Sequence, residues 1–249
     1  MMHNYLIKIQ YDGSNYSGWQ RQENTNNTIE QKISRCICAM AGKDDIEIHG
    51  SGRTDAGVHS NGQYANFYLD IDMSLDEIKD YLNKYLPDDI NIVDIRIVLD
   101  RFHARLSAIG KTYVYSIDNN KKANVFLRKY TWNIKDNLDI DKMKQAAQCF
   151  VGKKDFATFS DVKSKKKSTV RKIESINIDN NNGIIKISYT GNGFLYHMVR
   201  KITAAIVSAG YGNLDAETIE KLLERKNRQE YKEMAPAKGL CLYDVYYDI

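Results

Sequence analysis

Apolar positions along the chain switch repeatedly between a period of two and a period near 3.6, the signature of strands interleaved with helices. Alternation of Tyr5, Ile7, Ile9 and Tyr11 predicts a strand over 5–11 that Asp12-Gly13 closes. Thr28-x-x-Gln31 resembles a capping box and predicts a helix to about Met40, stopped by Gly42. Short strands are expected at 46–48 and 63–68. A second helix opens at Ser74-x-x-Glu77 and ends at Pro87, and 90–99 returns as a strand. That order is β-α-β-β-α-β. It restarts near Lys111 with a strand at 112–117, a helix over 139–150, and strands at 170–178 and 184–189 turned by Asn180-Asn181-Asn182-Gly183, a strong hairpin signal. Helices at 194–209 and 215–224 lead to a last strand at 240–247. The class predicted is α+β: two similar halves, 1–104 and 105–249, each an antiparallel or mixed sheet with helices on one face.

Composition narrows the function classes. With 249 residues, 43% hydrophobic and 27% charged, the chain matches an ordinary soluble protein, and no apolar run approaches the roughly 20 residues that span a bilayer. The start, Met-Met-His-Asn-Tyr-Leu, enters a strand pattern directly rather than a signal peptide, so a cytoplasmic location is expected. Cys36, Cys38, Cys149 and Cys241 are too scattered for a disulfide framework or a four-cysteine zinc site, and are read as reduced and packed. The net charge of +4 is unevenly spread: Lys153, Lys154, Lys163, Lys165, Lys166, Lys167, Arg171 and Lys172 face only Asp155 and Asp161 across that stretch. A phosphate backbone is the natural counterpart of such a run. Taken alone, the run reads better as a solvated surface loop kept soluble by lysine.

The densest chemistry lies in Gly50-Ser51-Gly52-Arg53-Thr54-Asp55-Ala56-Gly57-Val58-His59, which gathers a carboxylate, two potentially cationic groups and three glycines. Glycines let a backbone approach a ligand closely, and Arg53 and His59 bracket Asp55 with groups that favour its ionised form. Three readings stand side by side. Asp55 is a nucleophile toward an anomeric carbon whose leaving group needs no second acid, as a pyrimidine departing through its ring nitrogen would be. Asp55, His59 and His49 hold a metal, a reading weakened by the adjacent Arg53 cation. Or Arg53 and Asp55 form a salt-bridged turn.

Six segments, in order, resemble the bacterial tRNA pseudouridine synthases of the A type, which modify the anticodon stem-loop. They are Tyr11-Asp12-Gly13-Ser14-Asn15-Tyr16-Ser17-Gly18-Trp19-Gln20-Arg21-Gln22; the loop at 52–59; Phe102-His103-Ala104-Arg105 with Lys111-Thr112-Tyr113; Asp155-Phe156-Ala157-Thr158-Phe159; Gly193-Phe194-Leu195 with His197-Met198-Val199-Arg200; and Ala235-Pro236-Ala237-Lys238-Gly239-Leu240. The resemblance covers nearly the whole chain. Lys153-Lys154-Asp155 stands where the family more often has a histidine before the aspartate, and Ser60 where alanine is commoner.

The resemblance implies that the halves join around a central basic cleft, and that uridine is isomerised without cofactor or metal, at about positions 38, 39 and 40 of tRNA. It makes Asp55 the nucleophile, attacking the ribose carbon or acting on the base. Tyr113 packs on the target base with its hydroxyl near the C5 proton, and Arg200 pairs with Asp55. From pattern alone Tyr113 is a strand tyrosine alternating with Tyr115, and Arg200 the polar residue of a helix whose other face is core. RNA contacts carried over are Arg53, entering the space of the flipped base, with Phe102, His103, Ala104, Arg105 and Leu106, and Lys165, Lys166, Lys167, Ser168 and Thr169. A homodimer with tRNA lying across both subunits is implied too. A catalytically silent tRNA-binding protein is the rival from another class.

Overall fold

In the computed structural model, which describes residues 1–163 and 168–248, the N-terminal alternation builds strand β1 (His3–Tyr11). Helix α1 (Ile29–Ala41), the two-residue strand β2 (His49–Gly50), β3 (His59–Leu69), α2 (Leu75–Tyr85) and β4 (Ile90–Val98) follow in the expected order. β1 pairs antiparallel with β3 and with β4. Its odd-numbered side chains Tyr5, Ile7, Ile9 and Tyr11 share a core with Ile33 and Ile37 of α1 and Ile78 and Leu82 of α2, so both helices cover one face. On the opposite face Leu6, Phe102 and Ala104 make a smaller cluster with Tyr64 and Tyr247.

The helix ends follow their chemistry. The Thr28 side chain accepts the Gln31 amide, and Gly42 turns left-handed at φ 63° to end α1. The second arm of that capping box is missing, because the Gln31 side chain donates to Asn26 Oδ1 at 3.1 Å. Ser74 and Glu77 make both arms at the start of α2. The strand expected at 46–48 is not one: Ile46 and Ile48 are buried in the core, and the ladder to β3 forms only at His49 and Gly50. Burial, not pairing, wrote that apolar pattern.

The second set of elements is β5 (Ala108–Asp118), β6 (Trp132–Asn133), α3 (Ile140–Gln148), β7 (Gly152–Asp155), β8 (Val170–Asn181), β9 (Ile184–Gly191), α4 (Met198–Gly210) and α5 (Ala216–Arg225), with β10 (Leu240–Tyr247) closing the chain. β5, β9, β8 and β7 are antiparallel neighbours in that order. Tyr115, Ile117, Ile176, Ile178, Ile185, Ile187 and Tyr189 are buried, and Tyr189 meets Thr203 of α4 through a 2.8 Å hydroxyl contact. The β8–β9 turn puts Asn182 at φ 51° and Gly183 at φ 79°, the paired left-handed residues of a type I′ hairpin. α4 starts four residues later than its pattern suggested, since His197 sits at φ 62° and cannot continue a right-handed helix.

The chain divides into two units, Met1–Ile109 with Cys241–Ile249, and Gly110–Leu240. The boundary expected at 104/105 lies at 109/110, and the last strand, expected in the second half, belongs to the first unit. β10 instead pairs parallel with β3, through Cys241–His59 and Leu242–Ser60, which makes the first unit's sheet mixed. Among the described residues no helix is long and apolar enough to cross a membrane. The four cysteines are free thiols, and burial pushes those of Cys36 and Cys241 up to about 11.

Candidate active site

Asp55 sits half-buried on a loop fastened from three sides, all within the first unit. On one side the first amides of α1, which lack partners within the helix, are met by the segment before it: the Ile29 and Glu30 amides donate to the Gly18 and Trp19 carbonyls at 3.1 and 3.0 Å. The Trp19 amide donates in turn to the Thr54 carbonyl at 3.0 Å, next to Asp55. The Tyr11 hydroxyl meets Thr54 Oγ1 at 2.8 Å from the side of β1. On the third side, Gln63 of β3 holds the Gly52 backbone twice, its Nε2 donating to the carbonyl at 2.7 Å and its Oε1 accepting the amide at 3.2 Å. Asp55 itself begins a turn closed by the Val58 amide on its carbonyl at 3.1 Å, which needs Gly57 at φ 77°.

Gly50 has a different use from the one expected of it. A β-carbon there would come within 2.4 Å of the buried Trp19 indole, so its bareness admits the tryptophan rather than a ligand. His59 is 6% exposed, and its Nδ1 lies 3.1 Å from both the Gly13 amide and Asp12 Oδ1. Those contacts need opposite protonation of one nitrogen, and the directed Gly13 N–H makes Nδ1 the acceptor. His59 thus shapes the loop. His49 stacks on His103 at 4.7 Å, and among the described residues no group of three or more His, Cys, Asp or Glu is placed to hold a metal ion.

In the second unit, Tyr113 on β5 is 8% exposed and meets the Phe194 ring edge-on at 5.2 Å. Arg200, on the first turn of α4, is half-buried; its Nε donates to the Ala235 carbonyl at 2.8 Å, and the Ala235 amide returns to the Arg200 carbonyl at 3.1 Å. These bonds tie the Ala235-Pro236 segment to α4 and fix the direction of the guanidinium.

The RNA-contact candidates divide by exposure. Arg53, Arg105 and Leu106 are exposed and His103 is half-buried, while Phe102 and Ala104 are buried. Ala104 is held at both ends of its backbone, by Asn66 Oδ1 at 2.8 Å and by the Tyr247 hydroxyl at 2.6 Å. Burial and the neighbouring His49 hold the His103 imidazole below its ordinary range. Lys165, Lys166 and Lys167 lie outside the described residues. Ser168 is exposed, and Thr169 donates to Asp155 Oδ1 at 2.6 Å, closing the base of the basic loop. At that base β7 and β8 set Lys153 opposite Lys172 and Lys154 opposite Arg171. Like charges directly across a ladder oppose the fold.

Comparison with known proteins bears on what these groups do. A family model described as tRNA pseudouridine synthase matches residues 7–105 and 146–248, most of the chain and all the segments that hold Asp55 and Arg200. The chain belongs to the tRNA pseudouridine synthase family. It is 48% identical to "tRNA pseudouridine synthase A 2" of Bacillus cereus over 98% of this chain and 99% of the relative. It is 47% identical to "tRNA pseudouridine synthase A" of a Bacillus species, strain KSM-64, over the same shares. It is 44% identical to "tRNA pseudouridine synthase A 1" of Clostridium tetani over 99% and 100%. In this family member the supports to which the sequence gives no role are Tyr11, Trp19 and Gln63 around the loop, and the ion pair of Asp161 with Lys201 of α4. The last pair is separated by 40 positions, so no local pattern signals it. Tyr11 and Trp19 lie in the first of the six family-like segments.

Proposed function

We propose that the protein converts uridine to pseudouridine in tRNA, without a cofactor, at about positions 38, 39 and 40 of the anticodon stem-loop. In the reaction the N1–C1′ bond of the nucleotide breaks, C5 bonds to C1′, C5 loses its proton and N1 gains one. The full-length family match is the observation that carries this reading, and the fastening of the Asp55 loop supports it. A nucleophile must be held within fractions of an ångström of its target, and three independent elements fix this backbone.

Asp55 is the nucleophile, Tyr113 packs on the base and takes part in loss of the C5 proton, and Arg200 is the ionic partner of the carboxylate. Arg53, exposed beside Asp55, enters the space the flipped base leaves, where a planar guanidinium stacks as well as pairs. His103, Arg105 and Leu106, with the loop at 165–169, contact the RNA, and Phe102 and Ala104 position their neighbours. The β7–β8 cations support an RNA partner, since a polyanion relieves the repulsion they otherwise carry. The enzyme works in the cytoplasm as a homodimer with tRNA across both subunits.

Pseudouridine mapping of tRNA from cells lacking the protein tests the substrate. Loss of pseudouridine at 38–40 is expected, and an unchanged anticodon arm would overturn the assignment. Sedimentation of the purified protein at twice the chain mass is the corresponding expectation for the dimer.

A further inference from the structure

Within the second unit, before the start of α4, a cleft of about 440 Å³ opens beside residues 196–201, in the size range of small-ligand sites. Its one acid is already committed: Asp161 Oδ1 takes Lys201 Nζ at 2.7 Å and Oδ2 takes His197 Nδ1 at 2.7 Å. Burial works to raise the Asp161 carboxyl, but Lys201 and His197 outweigh it and hold the group below its usual range. Lys201, 3% exposed, also donates to the Tyr231 carbonyl at 3.0 Å, so it is structural. Lys163, Arg228 and Lys232 also line the cleft, and among the described residues none of them has an acidic partner within 4 Å. The acids nearest in sequence are engaged elsewhere, Glu230 by Arg225 at 2.8 Å and Glu233 by the Tyr231 hydroxyl at 3.3 Å. Tyr196 stands at the same cleft, stacked on the His197 ring at 3.7 Å yet 57% exposed.

Three cations without acids around a concavity, next to an exposed aromatic ring braced from behind, is the chemistry of a nucleotide-binding subsite on single-stranded RNA. We propose that this cleft binds one nucleotide of the RNA substrate away from the reacting uridine, its phosphodiester on Lys163, Arg228 and Lys232 and its base on Tyr196. The inference rests on the proposed RNA substrate and adds a second anchoring point on it. The committed carboxylate explains the cleft's design: Asp161 fixes His197, and His197 fixes the plane of Tyr196. Without Lys201 the same carboxylate would repel the phosphate.

The test uses the full-length protein and an unmodified tRNA transcript, titrated over a range of salt. For Lys163→Gln/Arg228→Gln/Lys232→Gln, Kd is expected to rise, with the slope of log affinity against log salt falling by roughly 0.7 per lost contact, about two in all. Tyr196→Ala is expected to bind about tenfold more weakly with the slope unchanged, and Tyr196→Phe to bind as wild type. Should the triple variant unfold, Lys232→Gln alone, at an exposed position, is expected to lower the slope by roughly 0.7. Wild-type Kd and slope in these variants would overturn the subsite. So would loss of inorganic phosphate binding with tRNA binding unchanged, which would mark a free-anion site. Binding is read without turnover: a wild type that binds tRNA through the cleft yet makes no pseudouridine refutes the reaction and leaves the subsite standing.

Discussion

Single residues explain why the loop at 50–59 carries so many constraints. Asp55 needs a fixed backbone, and that backbone is fixed by atoms contributed from Trp19, Tyr11 and Gln63. The concentration of glycine and charge was visible in the sequence, whereas the meaning of each glycine was not. Gly50 is bare because Trp19 lies against it, a contact across 31 positions that no local rule contains. Gly50→Ala is therefore expected to destabilise the protein by about 1–3 kcal/mol through overpacking, seen as a lower denaturant midpoint. His59 was open to several roles on paper, and burial with the Gly13 and Asp12 contacts reduces them to shaping the loop. Its chemistry was legible and its surroundings were not.

At the scale of elements, helices and strands with local punctuation were read well. Ser74 and Glu77 cap α2, Asp215 caps α5, and Asn182-Gly183 turns β8 into β9. Elements defined by distant partners escaped: β6 has two residues and β7 four, too few to show a period, and they exist because β5 and β8 pair with them. The β7–β8 ladder makes a testable conflict between stability and binding. Lys153→Glu, opposite Lys172, is expected to stabilise the fold by about 0.2–1 kcal/mol and to weaken tRNA binding, measured by denaturant melts and anisotropy. Asp118 at the end of β5 makes a second prediction. Burial acts to raise its carboxyl, but the Asn120 amide and side chain and the Asn124 amide outweigh it and hold the group low. A lowered folded value means stability that is present above the unfolded value near 3.9 and is lost as pH falls through the folded one. Melts of Asp118→Asn between about pH 5 and 2 should accordingly show a flatter acid dependence than wild type.

For the whole molecule, the α+β class and every α-helix and strand of the first half except β2 followed from periodicity, and the family followed from six ordered segments. The destination of the last strand did not. Leu240 and Leu242 alternate as a strand does, but nothing in that pattern says that the partner is β3, some 180 positions earlier. Charge also acts at this scale. A net +4 is modest, and its concentration around 153–172 makes affinity, more than choice of uridine, depend on salt. With about four phosphate contacts, that run alone should contribute roughly 2.8 to the slope of log affinity for tRNA against log salt, measured by titration at several salt concentrations. In the proposed chemistry Asp55 drives exchange of the N1–C1′ bond for a C5–C1′ bond. Release of tritium from tRNA labelled at uridine C5 measures that exchange directly. The wild type is expected to release the label without added cofactor and Asp55→Ala to release none, while full release by Asp55→Ala would contradict the account.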